Sequence, residues 1–152
     1  MVAEMVGRTV NGIGRILYEY RGEVDRADGA LELRLDDQIV LLDSAAGGEC
    51  LRVRTGAWRD PFAEPLAPEN QRFVERHGRW VRIDCYKEEP YADFVGSQVA
   101  EASLLKNEWG HVAGIRFAVH SRCLWFVVEG DECHVYWAHP IGFREVRAVT
   151  RL

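Results

Sequence analysis

The sequence predicts a mainly β protein (a β-rich α+β fold), because apolar residues alternate along many short segments and glycine- or proline-rich turns separate them. We expect two antiparallel meanders of about four strands each, related by a pseudo-twofold axis and packed as a sandwich or a partly open barrel. One short helix is expected at about residues 68–77. The 152 residues suffice for a single domain (1–152) with its own hydrophobic core.

An internal repeat relates residues 5–54 to residues 94–137, joined by residues 55–93. Val-Gly-x-x-Val recurs at an offset of 89 residues, whereas LELRL matches IRFAV at an offset of 84. For the fourth strand, the alternation favours an offset of 84, which sets Leu51 and Val53 on Val135 and Trp137. A one-residue slip would turn every side chain to the wrong face. A chance likeness between two β-meanders is the alternative.

The first meander begins with a long strand, Val6–Tyr20, which contains Gly12 and Gly14. Glycines inside a strand mark a bulge or the close approach of another backbone. Polar turns separate this strand from three shorter ones, Leu31–Leu35, Ile39–Asp43 and Cys50–Arg54.

The joining segment opens with Trp58–Pro68, whose three prolines exclude regular sheet or helix and predict an ordered crossing between the halves. Pro68 suits the first turn of a helix, and Gly78 suits the position after its end. The next alternating segment, Trp80–Tyr86, predicts a strand that has no counterpart in the repeat. Lys87–Asp93 is a charged loop.

The second meander has the clearest alternation in the chain. Its four predicted strands are Phe94–Val99, Gly114–His120, Cys123–Glu129 and Cys133–Trp137. Phe143–Leu152 then predicts a final short strand or tail.

The charge and the apolar segments limit where the protein acts. A formal charge of −5 argues against nucleic acid or an anionic membrane as partner and permits a basic protein. No stretch approaches 18 apolar residues, and the start MVAEMVGRTV lacks the apolar run of a signal peptide. We therefore expect a cytoplasmic protein whose four cysteines are buried, reduced thiols.

No motif carries a reaction, and we predict no enzymatic activity, no catalytic residue and no cofactor. The candidate zinc ligands are His120, Cys123, Cys133 and His134. However, Cys133 and His134 are adjacent and face opposite sides of a strand, so both cannot bind one ion without a bulge. We therefore predict no metal. Among the acids Glu129 is the best catalytic candidate because it ends an apolar strand.

Acidic loops around aromatic side chains favour a protein-binding inhibitor of a basic target. Loop tryptophans such as Trp58 and Trp109 either cap the core or anchor an interface, and capping is the favoured interpretation. The predicted partner-binding residues are Asp36, Asp37, Asp43, Trp58, Glu88, Glu89, Tyr91 and Asp93. A small-molecule-binding β-barrel and an enzyme with a site in the same pocket are the alternatives, and a purely structural role remains open.

In size, acidity, lack of a catalytic motif and lack of an export signal, the chain resembles the small immunity proteins of bacterial polymorphic-toxin systems. The resemblance covers the general build of the whole chain and assigns no individual residue. It implies a cytosolic bacterial protein that neutralises a cognate toxin by blocking the toxin's active site. The partner would then be a basic toxin domain.

Overall fold

The computed structural model describes residues 2–120 and 122–147 and confirms the mainly β prediction. Short 3-10 helices lie at Val2–Met5 and Tyr91–Asp93. Within the described ranges, the first half contains β1 (Val10–Tyr20), β2 (Glu23–Leu35), β3 (Gln38–Ser44), β4 (Leu51–Thr55), α1 (Pro68–His77) and β5 (Arg79–Asp84). The second half contains β6 (Val99–Lys106), β7 (Val112–Val119), β8 (Arg122–Glu129), β9 (Glu132–Tyr136) and β10 (Arg144–Arg147).

The strands form two antiparallel sheets with the orders β4-β3-β2-β1-β5 and β10-β6-β7-β8-β9. The sheets do not close into a barrel and pack face to face as a sandwich. Each sheet has five strands rather than the expected four, because a later strand returns to pair with the first strand of its meander. In this strand order β5 corresponds to β10, which lies beyond the predicted repeat of 94–137. The remainder of the predicted tail, 148–152, lies outside the described residues.

The pairing registers of the first two strands have the predicted offsets. Val10 pairs with Leu35 and Val99 pairs with Val119, so the first strands differ by 89 residues and the second strands by 84. A register shift follows each of these pairs, between Val10 and Gly12 in β1 and between Val99 and Glu101 in β6. The two sheets therefore share a bulge as well as a strand order.

The fourth strands align differently from the prediction. Leu42 pairs with Val53, and Phe126 pairs with Val135, so Val53 corresponds to Val135 and not to Trp137. The offset is 82 residues (135 minus 53), because the β3–β4 loop is longer than the β8–β9 turn. The difference from 84 is even, and the apolar residues consequently keep their face.

The interior of the sandwich is filled by the inward faces of both sheets. Each buried aliphatic or aromatic side chain contributes about 1.5–3 kcal/mol relative to exposure. The fully buried side chains of this core include Ile13, Leu31, Leu35, Val40, Leu42, Phe94, Ile115, Phe117, Leu124 and Phe126. This core joins the two sheets into one unit.

A buried ion pair crosses β1 on the outer face of the first sheet. The Glu32 side chain is fully buried, and Arg82 Nε on β5 donates to its Oε1 at 2.8 Å. The Arg82 guanidinium lies over Gly14, where an added Cβ would come within 2.7 Å of it. The other Glu32 oxygen accepts the Trp58 backbone N–H at 2.9 Å, which holds the proline-rich crossing against the sheet.

The second sheet repeats this pair with its charges exchanged. Arg116 on β7 donates to Glu145 on β10 at 3.1 Å, across Ser103 of β6. Burial alone raises the pKa of the Glu145 carboxyl, but the Ser103 hydroxyl and the Arg116 guanidinium outweigh it and lower that pKa. Arg116 also donates to Glu101 at 2.6 Å.

The predicted helix is present over Pro68–His77 and ends at Gly78, whose φ of +78° suits glycine. No residue of α1 is buried. The Phe73 ring is stacked on Phe62 of the crossing, with 5.6 Å between the ring centroids. The helix therefore covers the crossing segment and contributes nothing to the central core.

All four cysteines are free; Cys85 and Cys133 are buried, whereas Cys50 and Cys123 are only half-buried. The expectation of buried thiols therefore holds for two of the four. Burial raises the pKa of the Cys133 thiol to about 11, and the nearby Asp28 carboxylate adds to the increase.

We predict that Glu32→Ala lowers the free energy of unfolding in urea by about 3 kcal/mol, because it leaves Arg82 and the Trp58 N–H without the buried carboxylate. The matched control is Asp37→Ala, which removes an acid that is 94% exposed and lies 3.4 Å from Arg8. That change should cost less than about 1 kcal/mol. Equal losses in the two variants would contradict a structural role for the buried pair.

A second prediction concerns alkaline pH. In the folded state Cys133 keeps its proton up to a pKa of about 11, whereas the thiol of the unfolded chain loses it near 9.0. This contribution to stability is therefore present below pH 9.0 and is lost as the pH rises towards 11. Cys133→Ala should therefore show a smaller fall in unfolding free energy over this range than the native chain. Cys50→Ala is the control, and parallel curves for native chain and Cys133→Ala would refute the effect.

Candidate functional site

The predicted partner-binding residues lie on four segments of the chain. Asp36 and Asp37 form the β2–β3 turn, and Asp43 lies on β3. Trp58 is half-buried in the crossing, where it is bound to Glu32. The remaining four, Glu88, Glu89, Tyr91 and Asp93, follow β5.

Arginine side chains offset the charge of several of these acids. Asp43 receives two hydrogen bonds from Arg52, at 2.7 and 2.8 Å, and one from Arg54 at 2.5 Å. Further pairs join Asp37 to Arg8, Glu88 to Arg26 and Asp93 to Arg122. A basic partner would have to compete with these local cations.

Tyr91 also has an internal role. Its hydroxyl accepts a hydrogen bond from Arg15 Nη1 at 3.0 Å, and its ring packs edge-on against Trp137 with 4.8 Å between centroids. Burial is the largest influence on the Tyr91 hydroxyl and raises its pKa, although Arg15 acts in the opposite direction. The side chain is half-buried and packs against the core, which limits its use as an interface anchor.

A different surface combines exposed apolar side chains with acids. Trp109 is 66% exposed and Ile141 is 96% exposed, the two highest values among the exposed large hydrophobic residues. They line an open cleft of about 290 Å³, which we call the Trp109 cleft. Its lining residues are Glu49, Asn107, Glu108, Trp109, Val128, Glu129, Gly130, Ile141, Gly142 and Phe143.

The loop that carries Trp109 is held in place by Asn107. The Asn107 Oδ1 atom accepts the backbone N–H of Trp109 at 3.1 Å and that of His111 at 3.0 Å. The Asn107 amide group donates to the Glu49 carbonyl at 3.4 Å, which ties the loop to the β3–β4 loop of the other sheet. These hydrogen bonds hold the backbone of the loop in place, while the Trp109 side chain is exposed.

The acids at this cleft lack arginine or lysine partners among residues 2–120 and 122–147. Glu49 faces His111 at 3.5 Å, and Glu129 accepts the Tyr136 hydroxyl at 3.2 Å. Burial and the Glu129 carboxylate raise the pKa of Tyr136. Asp131 lies in the turn after β8, and Glu132, which begins β9, lies 3.2 Å from His134 Nε2.

A second open cleft, of about 590 Å³, lies beside the first and shares Glu129 and Ile141 with it. Its lining also includes Tyr136, Trp137, His139 and Pro140. Ile141 thus stands between two clefts that carry aromatic side chains and a common carboxylate. This arrangement of an apolar centre with a charged border is typical of the centre of a protein interface.

Two residues of this surface, Trp109 and Glu129, have other roles in the predictions from sequence. Trp109 was expected to cap the core, and its exposure shows that this expectation is wrong. Glu129 was considered only as a catalytic acid. Ile141 carried no signal, because an apolar residue after His139-Pro140 has no periodic neighbours by which its exposure could be recognised.

The chain matches no protein-family model, and comparisons with curated proteins and with solved structures gave no match. No helix among the described residues is long and apolar enough to cross a membrane. Within residues 2–120 and 122–147, no group of three histidine, cysteine or acidic side chains is placed to hold a metal ion.

We predict that Asn107→Ala loosens the Trp109 loop, because two backbone N–H groups lose their acceptor. The heteronuclear ¹H–¹⁵N NOE of residues 108–110 should fall, and the unfolding free energy should drop by about 1 kcal/mol. Asn107→Asp keeps the acceptor oxygen and should retain the rigid loop. Unchanged NOE values in Asn107→Ala would show that other contacts hold Trp109.

Proposed function

We propose that this protein is a protein-binding inhibitor that binds a basic partner through the Trp109 cleft. In the finer form of the proposal, it is a bacterial immunity protein that acts in the cytoplasm and neutralises a toxin domain by direct binding. The observation that carries the proposal is the pairing of two exposed apolar side chains, Trp109 and Ile141, with acids that lack arginine or lysine partners within the described residues.

The energetics of interfaces support a protein partner. Tryptophan is among the residues that most often dominate binding, typically at the centre of a contact surrounded by residues that exclude water. Isolating an exposed tryptophan and isoleucine from water would supply the affinity, and the acidic border would speed encounter with a basic surface. The same acids would disfavour acidic partners.

The shape of the surface favours a macromolecule over a small ligand. Small-molecule sites bury most of the ligand in a concave pocket, whereas both clefts beside Ile141 open to solvent. The space between the sheets is taken up by the core side chains of both meanders. A protein that covers both clefts at once would use the whole of this surface.

The test begins with affinity capture from the source organism, using the native chain and a Trp109→Ala/Ile141→Ala double variant. The partner is the protein that binds the native chain and is basic. We expect the double variant to lose at least about 30-fold in affinity for it, because each anchor contributes about 1–2 kcal/mol or more. Trp80→Ala is the matched control, since Trp80 is 41% exposed on β5 and outside the cleft.

The inhibitor role has a separate measurement. Expression of the captured partner alone in a bacterial host should arrest growth, and co-expression of the native chain should restore it. The double variant should fail to restore growth while Trp80→Ala succeeds. A partner that is harmless alone, or that binds the double variant as tightly as the native chain, would refute the proposal.

A further inference from the structure

The Trp109 cleft has room for one long side chain. Its volume of about 290 Å³ lies just below the range of pockets that hold whole small molecules, about 300–1,000 Å³. Trp109, Ile141 and Phe143 supply apolar surface, and the buried residue Val128 also lines the cleft. A side chain with an apolar stem fits such a lining.

The polar atoms of the cleft are mainly acceptors. Glu49 lies on the β3–β4 loop, Glu108 on the β6–β7 loop and Glu129 at the end of β8, so the three carboxylates reach the cleft from separate segments of the chain. The amide group of Asn107 is already engaged with the Glu49 carbonyl. The ligand must therefore bring hydrogen-bond donors and positive charge.

We propose that the cleft binds an arginine side chain of the partner, an inference that rests on the proposed function. A guanidinium group presents five donors in a plane and can bond carboxylates on several sides, whereas an ammonium group is a compact charge with strong hydration. The flat face of the guanidinium also stacks on an indole, and Trp109 offers such a face at the mouth of the cleft. The alkyl stem would lie against Ile141.

An arginine ligand accounts for the presence of three acids and an exposed tryptophan at the same cleft. Glu49, Glu108 and Glu129 all line the cleft beside the exposed indole, and each carboxylate would attract a cation bound there. Asn107 already holds the backbone of the Trp109 loop, so less ordering of that loop is required on binding.

The test uses a small probe in place of the unidentified partner. The native chain, labelled with ¹⁵N, is titrated with Nα-acetyl-arginine methylamide, with the lysine analogue and with the neutral, nearly isosteric citrulline analogue. We expect saturable shifts of the Trp109 indole N–H and of residues 107–110 and 129–130, with a Kd of order 1–10 mM for the arginine probe. The lysine probe should bind several-fold more weakly, and the citrulline probe should give no saturation.

Two variants separate charge recognition from folding. Glu129→Gln should weaken arginine binding at least about threefold, while Glu69→Gln, which removes an exposed acid in α1, should leave it unchanged. Their spectra also report whether each variant is folded. No saturable shift at the cleft, equal responses to arginine and citrulline, or equal affinity for arginine and lysine would each overturn the inference.

Failure here is distinguishable from failure of the proposed function. If Trp109→Ala/Ile141→Ala abolishes partner binding but the arginine probe does not bind, the inhibitor proposal stands and the arginine assignment is wrong. If the arginine probe binds as expected but the double variant retains the partner, the cleft recognises guanidinium while the partner binds elsewhere.

Discussion

In each sheet a charged pair lies across the first strand of the meander and joins the strands on either side of it. In the first sheet Arg82 on β5 reaches Glu32 on β2, and in the second sheet Glu145 on β10 reaches Arg116 on β7. Breaking the first pair would leave the fully buried Glu32 uncompensated, whereas the Glu145 side chain is 31% exposed and its pair contributes less.

The acid and the arginine exchange positions between the two sheets, so swapping the outer strands β5 and β10 would be unfavourable. If β10 paired with β1, Glu145 would face Glu32, and if β5 paired with β6, Arg82 would face Arg116. Both arrangements place like charges together, which disfavours exchange of the final strands between two otherwise similar halves. The small residue beneath each pair, Gly14 or Ser103, provides the space that the pair needs.

Much of this architecture could be predicted from sequence because alternation is a direct consequence of strand geometry. The predicted offsets of 89 and 84 recur in the strand pairing, and the core residues Leu31, Leu33 and Leu35 occupy the positions of Ile115, Phe117 and Val119. The fifth strands were missed as a matching pair because β10 is only four residues long and β5 follows a long insertion. Pairing between strands that are far apart in sequence leaves no local pattern in the residues.

The candidate site was less predictable for a related reason. Counting acids in loops identifies charge, but it does not reveal which arginine folds back onto each acid, as Arg52 and Arg54 do on Asp43. The reverse holds for Glu49 and Glu129, which are far apart in sequence and are brought to one cleft only by the tertiary fold. Net charge of a segment is thus a poor guide to net charge of a surface.

The cleft also depends on the packing of both sheets. Glu49 belongs to the β3–β4 loop of the first sheet, whereas Trp109 belongs to the β6–β7 loop of the second sheet and Glu129 to the end of β8. The Asp131 N–H bonds the Gly48 carbonyl at 3.0 Å, and an added Cβ at Gly48 would overlap the Asp131 side chain. Because the loops meet at this glycine, neither meander alone could form the cleft, and its acids converge only after the sandwich has assembled. A binding surface built in this way is present in the folded state and lost with it, so affinity for a partner would also stabilise the union of the two halves.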